Sequence, residues 1–211
     1  MSPWDGVRDM KLLYRAFIIA LALSLTAICA AHAGNSPKTE IYKANKALEL
    51  DPNDAKAYYN RGTAQLGLDH YTEAVSDLTR SIELEPKAAD SYFNRGLAYR
   101  LQRMNKEAIE DFSKAIALFP DKWAYYYERC NARIVTEDYD GAIADGSEMV
   151  RLFPKEAESF FMRGLASYLK GDLNAGLADA EKALELKNWH QGALKLKAEI
   201  LGVLMEGTER K

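Results

Sequence analysis

Apolar and polar positions between Tyr58 and Pro120 run through the same order twice. "YYNRGTAQLGLDHYTEAVSDLTRSIELEP" (Tyr58–Pro86) is followed 34 residues later by "YFNRGLAYRLQRMNKEAIEDFSKAIALFP" (Tyr92–Pro120), with the same apolar stripes, the same Asn-Arg-Gly triplet and the same closing proline. At a period of 34 the columns continue without insertion or deletion: Arg61, Arg95, Arg129 and Arg163; Gly62, Gly96, Cys130 and Gly164; Ala74, Ala108, Ala142 and Gly176; Asp77, Asp111, Asp145 and Asp179. Each copy holds two apolar stripes of helical period separated by a polar break, at Asp69-His70, Met104-Asn105, Glu137-Asp138 and Gly171-Asp172. A helix, a turn and a second helix are therefore predicted in every copy. Pro86, Pro120 and Pro154 stop the second helix of the first three copies, because proline cannot continue a helix and restricts the residue before it; the fourth copy has Asn188 there.

The flanks extend the pattern. "ANKALELDP" aligns in phase with "LTRSIELEP", so residues 34–54 read as the second half of an earlier copy, an orphan helix. At the other end "HQGALKLKAEILGVLMEG" sets Leu194, Ala198, Leu201 and Met205 against Lys195, Lys197 and Glu199, so residues 191–211 read as an amphipathic capping helix and tail. The organisation expected is a partial repeat over 34–54, four units at 55–88, 89–122, 123–156 and 157–190, and the cap: ten helices in all. A repeat array needs such caps, since each unit buries only its neighbours' faces.

This repeat length, the first helix with its glycine and aromatics, the alanine-rich second helix and the closing proline resemble the tetratricopeptide repeat family. The resemblance covers about residues 55–190 and implies an all-α fold, an α-solenoid of four 34-residue units plus the orphan helix and the cap. It also implies a role in holding other proteins, and no chemistry. The family's concave surface lies on the first helices, and the columns it would use are Tyr59, Thr63 and Leu66; Phe93, Leu97 and Arg100; Tyr127, Asn131 and Ile134; Phe161, Leu165 and Tyr168. Most are apolar or aromatic, and Asn60, Asn94 and Arg100 add groups able to bond a peptide backbone. Chaperone-tail-binding members carry a Lys, Asn and Arg clamp for a terminal carboxylate; Tyr59 and Thr63 stand at its first positions here, so that clamp is not expected. The competing reading is that these rings are ordinary packing.

Composition narrows the partners. Of 211 residues 48% are hydrophobic and 28% charged, a balance that can build a core, and a formal net charge of −3 offers neither a phosphate backbone nor anionic lipid a basic surface. Nucleic acid is therefore not an expected partner. Lys11 and Arg15 precede an apolar run from Ala16 to Ala31 that ends in Ala31-His32-Ala33, the layout of a secretory signal peptide over residues 1–33. A periplasmic or secreted location follows, with a mature chain from Gly34. The run is shorter than the ~18–20 residues a spanning helix needs, and an uncleaved membrane anchor is the alternative. "MKLLYR" reads as an ordinary beginning, so Met10 competes with Met1 as the start. Bulky Ile28 before Cys29 speaks against a lipid-modified cysteine. Removal of 1–33 takes away Arg8, Lys11, Arg15, Asp5 and Asp9 and leaves Cys130 as the one cysteine, so no internal disulfide is available to the mature chain.

No catalytic constellation is legible. His70 falls in a turn and His190 near the cap, with no second ligand at metal spacing, and no phosphate-binding or dinucleotide glycine pattern occurs. No enzyme activity, cofactor or metal is expected. Cys130 reads as a small packed residue, and Glu137, Asp138 and Asp140 as solvated turn acids. The Arg and Asp columns, 16 residues apart, read as a ladder of charge pairs that fixes helix register, or alternatively as an anion-binding row. Gly141 and Gly146 mark the second helix of the third copy as the weakest, at roughly 1 kcal/mol per glycine relative to alanine. The function expected is an exported adaptor that binds an extended or helical segment of a partner protein. The alternatives are a self-assembling structural repeat protein, or a non-catalytic accessory subunit of an envelope enzyme.

Overall fold

The computed structural model describes residues 36–209, all-helical with no strand among them. The signal segment, Cys29 and the choice between Met1 and Met10 lie outside these residues. Ten helices are described: α1 (Pro37–Leu50), α2 (Ala55–Leu66), α3 (Tyr71–Leu84), α4 (Ala89–Leu101), α5 (Asn105–Leu118), α6 (Trp123–Val135), α7 (Tyr139–Leu152), α8 (Ala157–Lys170), α9 (Leu173–Leu186) and α10 (Gln191–Glu209). No helix among the described residues is long and apolar enough to cross a membrane.

Local chemistry sets the ends. Side-chain caps recur: Ser36 accepts from the Thr39 amide, Asp54 from Ala57, Asp138 from Gly141 and Asp172 from Ala175. Asp51, Glu85 and Phe119 precede prolines and leave the helical region, which ends α1, α3 and α5. Lys187 leaves the helical region in the same way before Asn188, so the fourth stop does not depend on proline. Between the helices of each pair the chain reverses through one left-handed residue: Asp69, Arg103, Glu137 or Gly171, again 34 apart. Only the last is the glycine that this conformation favours.

The chain divides into two compact units, whose boundary falls between Tyr125 and Tyr126 within α6. In residues 36–125, α1 packs on α2, α2 on α3, α3 on α4 and α4 on α5. In residues 126–209, α7 packs on α8, α8 on α9 and α9 on α10. Consecutive helices packed in pairs make this an α-solenoid of helix-turn-helix repeats. The small-residue column shows why the pairs sit so close: a Cβ on Gly62 would stand 2.8 Å from Leu78 Cγ, one on Gly96 2.7 Å from Phe112 and one on Gly164 2.8 Å from Asp179 Cβ. Cys130 fills this column in the third copy, fully buried, its thiol donating to the Ala142 carbonyl.

Two expectations require correction. The apolar face assigned to the cap, Leu194, Ala198, Leu201 and Met205, is exposed. The last helix packs through Ala193, Leu196 and Ile200 instead, because Gly192 seats against the Phe161 ring and His190 Nδ1 caps the helix by accepting from the Ala193 amide. Gly146 is a place of close approach as much as a weak point. A Cβ there would meet Arg163 Cβ at 2.7 Å and its Cα at 2.9 Å, so α7 reaches α8 only with glycine at this position.

Candidate functional site

The charge ladder forms inside each pair. Arg61 binds Asp77, and Arg95 binds Asp111, each through Nε and Nη2 at 2.6–2.8 Å. Arg163 holds Asp179 the same way at 2.7 Å, and Arg129 holds Asp145, which also takes Arg133 Nη1 at 2.9 Å. The bond to Asp111 raises the Arg95 guanidinium above its ordinary value against the opposing effect of burial. Asp145 is almost wholly enclosed, and burial pushes its carboxyl up despite both arginines. The remaining arginine nitrogen reaches backwards: Arg61 Nη1 to Asn45 at 2.8 Å and Arg95 Nη1 to Thr79 at 3.0 Å. Each of these two arginines thus ties its own pair to the preceding helix.

The candidate binding residues fall into two groups. In residues 36–125, Tyr59, Asn60, Thr63, Phe93, Leu97 and Arg100 are half-buried, while Leu66 and Asn94 are buried. Asn94 already spends its amide on Thr63 Oγ1 at 2.9 Å. Phe93 lies 5.7 Å from the Phe112 ring and 4.8 Å from the Tyr125 ring, so part of it is packing. In residues 126–209, Tyr127, Asn131, Ile134, Phe161, Leu165 and Tyr168 are each buried. Phe161 packs on Gly192 and His190, and Tyr168 contacts Gly176. Burial pushes the Tyr168 hydroxyl up to about 12, and it finds no hydrogen-bond partner among the described residues.

Sequence reasoning missed a cleft of about 440 Å³ in residues 36–125. It lies where the first turns of α2, α4 and α6 meet the end of α3. Lys56 and Tyr59, Asp90 and Ser91, and Lys122 and Tyr125 line it, with Glu85, Lys87 and Phe119 at its edges. Tyr125 donates to Asp90 Oδ1, and burial followed by that bond raises the Tyr125 hydroxyl far above its ordinary value. Lys122 also reaches Asp90 at 3.4 Å and lies over the Phe119 and Tyr125 rings. Phe119 remains half-exposed. Three lysines face two carboxylates, so the lining carries a formal positive excess beside aromatic surface. Its one signal in the sequence was a charged residue near a tyrosine at the start of each first helix: Lys56 with Tyr59, Asp90 with Tyr92 and Lys122 with Tyr125. The described residues hold no group of three or more His, Cys, Asp or Glu placed to bind a metal.

This architecture defines a helical repeat scaffold that presents side chains from successive first helices. Residues 89–122 and 44–76 each match a tetratricopeptide repeat model, and these matches support the tetratricopeptide repeat family for these repeats. The structure of MamA residues 41 to the end from Desulfovibrio magneticus RS-1 is similar at 21% identity and a TM-score of 0.69, covering 87% of this chain and 98% of that one. YrrB, described as a TPR protein with an unusual peptide-binding site, is 21% identical with a TM-score of 0.64 over 76% of this chain and 91% of its own. The second TPR domain of human RPAP3, in complex with the HSP70 peptide SGPTIEEVD, is 25% identical with a TM-score of 0.51, covering 53% of this chain and 93% of the domain. A search of curated proteins found no significant match.

Proposed function

We propose that this protein is an exported, non-catalytic adaptor that captures an extended or helical segment of a partner protein. The observation that carries the reading is the cleft at the first turns of α2, α4 and α6, with half-exposed Phe119 beside Tyr59, Tyr125 and Lys122. An apolar or aromatic side chain of the partner would sit against these rings, and an acidic neighbour would face the lysines. The similar structures of YrrB and RPAP3, described with a peptide-binding site and a bound peptide, support a binding role over a catalytic one. Export rests on the charged and apolar layout of residues 1–33. Because Tyr127, Ile134, Phe161, Leu165 and Tyr168 are buried, the site is assigned to residues 36–125.

Site-directed photo-crosslinking tests the placement. Segments would be selected from a displayed peptide library against the full chain, then bound to chains carrying a photoreactive phenylalanine analogue at Phe119 or, as a control, at exposed Tyr42. Crosslinking from position 119 and not from 42 is expected. The opposite pattern would move the site away from the cleft.

A further inference from the structure

The last helix carries an apolar face that its own unit leaves open. The 34-residue register places Lys197 in the arginine column and Ala198 in the small-residue column, so α10 stands as the first helix of a further repeat. Lys197 behaves accordingly: it reaches Glu181 at 2.8 Å, 16 residues back, as Arg95 reaches Thr79. In the interior pairs the small-residue face is covered so tightly that a Cβ on Gly62 or Gly96 would lie under 3 Å from the second helix. On α10 the equivalent face is exposed: Leu194 by 42%, Leu201 by 39%, Met205 by 66%, with Ala198 between them.

We propose that this face pairs with the same face of a second copy of the chain, as an antiparallel helix pair about a two-fold axis. Two copies are the occupant the residues fit. The stripe Leu194, Ala198, Leu201, Met205 has the alternating four-and-three spacing of a helix-helix seam. In antiparallel register, Ala198 of one copy faces Leu201 of the other and Leu194 faces Met205, so each small residue meets a large one. Gly202, beside the seam, lets the backbones approach; a Cβ there would meet nothing within 4 Å in the isolated chain. The pairing is isologous and closes on itself.

The other way to complete the repeat is head to tail, with α1 of a second copy laid on α10, since α1 is in the register of a second helix. The residues oppose it. Lys43 occupies the aspartate column and would face Lys197 in the arginine column, and Glu40 replaces the alanine that the close contact needs. A like-charge pair stands where every interior unit has an ion pair. The ladder chemistry therefore disfavours an open chain of copies and leaves the two-fold pair.

One helix face is smaller than the roughly 800 Å² per partner of a standard interface, so a reversible, concentration-dependent dimer is expected. Sedimentation velocity of the full chain across a hundredfold concentration range tests this, independently of any peptide in the cleft. A monomer-dimer equilibrium is expected, weakened at least tenfold by Leu201→Asp with the circular dichroism spectrum unchanged. A monomer at every concentration, or a dimer indifferent to Leu201→Asp, would overturn the proposal. Open-ended oligomers that grow with concentration would overturn it in favour of head-to-tail stacking.

Discussion

Arg95 grips Asp111 with Nε at 2.7 Å and Nη2 at 2.8 Å while its third nitrogen bonds Thr79, so one guanidinium fastens α5 to α4 and α4 to α3. Both partners are largely withdrawn from water. Removing the arginine would leave a buried carboxylate without its compensating charge. Arg95→Ala is expected to cost about 3 kcal/mol or more, measured by urea unfolding. Arg129→Ala should cost less, because Arg133 also holds Asp145. Equal losses would mean that Arg133 does not share the load.

Gly146 offers a test of packing against propensity. Alanine is the better helix former by about 1 kcal/mol, yet a Cβ at 146 would press on the Arg163 backbone. Gly146→Ala is expected to lower stability by about 1–3 kcal/mol. A gain in melting temperature would show that α7 and α8 can separate at little cost.

The left-handed turn column gives the opposite sign. Arg103 sits at φ 64° with a side chain that this region disfavours. Relief of that strain exceeds glycine's added freedom in the unfolded chain, so Arg103→Gly should stabilise by about 0.5–1 kcal/mol. Thermal unfolding of the variant checks it, and destabilisation would show that the arginine side chain makes a contact worth more than the strain.

How far these features were legible in the sequence depended on residue identity within a column. The helix pairs, their turns and the paired arginines and aspartates were visible because the columns repeat one residue type or one size. The backward leg of the ladder was not, since Asn45 and Thr79 share only the ability to accept a hydrogen bond. The turn conformation was hidden for the same reason, with Asp69, Arg103 and Glu137 standing where one copy has Gly171. The last helix has two apolar stripes, and the seat of Gly192 on Phe161 together with the His190 cap decides which one packs. Aromatics at the repeat period look alike in sequence whether exposed like Phe119 or enclosed like Phe161, because burial is set by residues from other helices.

Tyr168 separates packing from binding in the second unit. Its buried hydroxyl finds no partner among the described residues, which costs free energy without specifying anything. Tyr168→Phe is therefore expected to be neutral or to stabilise by about 1 kcal/mol, with peptide affinity unchanged. A loss of affinity in a variant of undiminished stability would return Tyr168 to the binding surface.

The claim that the cleft in residues 36–125 holds a partner segment meets its most direct test in affinity. Phe119 is half-exposed, so Phe119→Ala removes binding surface with little effect on the core. Isothermal titration of a selected peptide segment into the full chain should show at least a tenfold weaker Kd for Phe119→Ala, and a smaller, salt-sensitive weakening for Lys122→Ala. A Kd unchanged in both folded variants would contradict the account and place the binding surface elsewhere on the repeat.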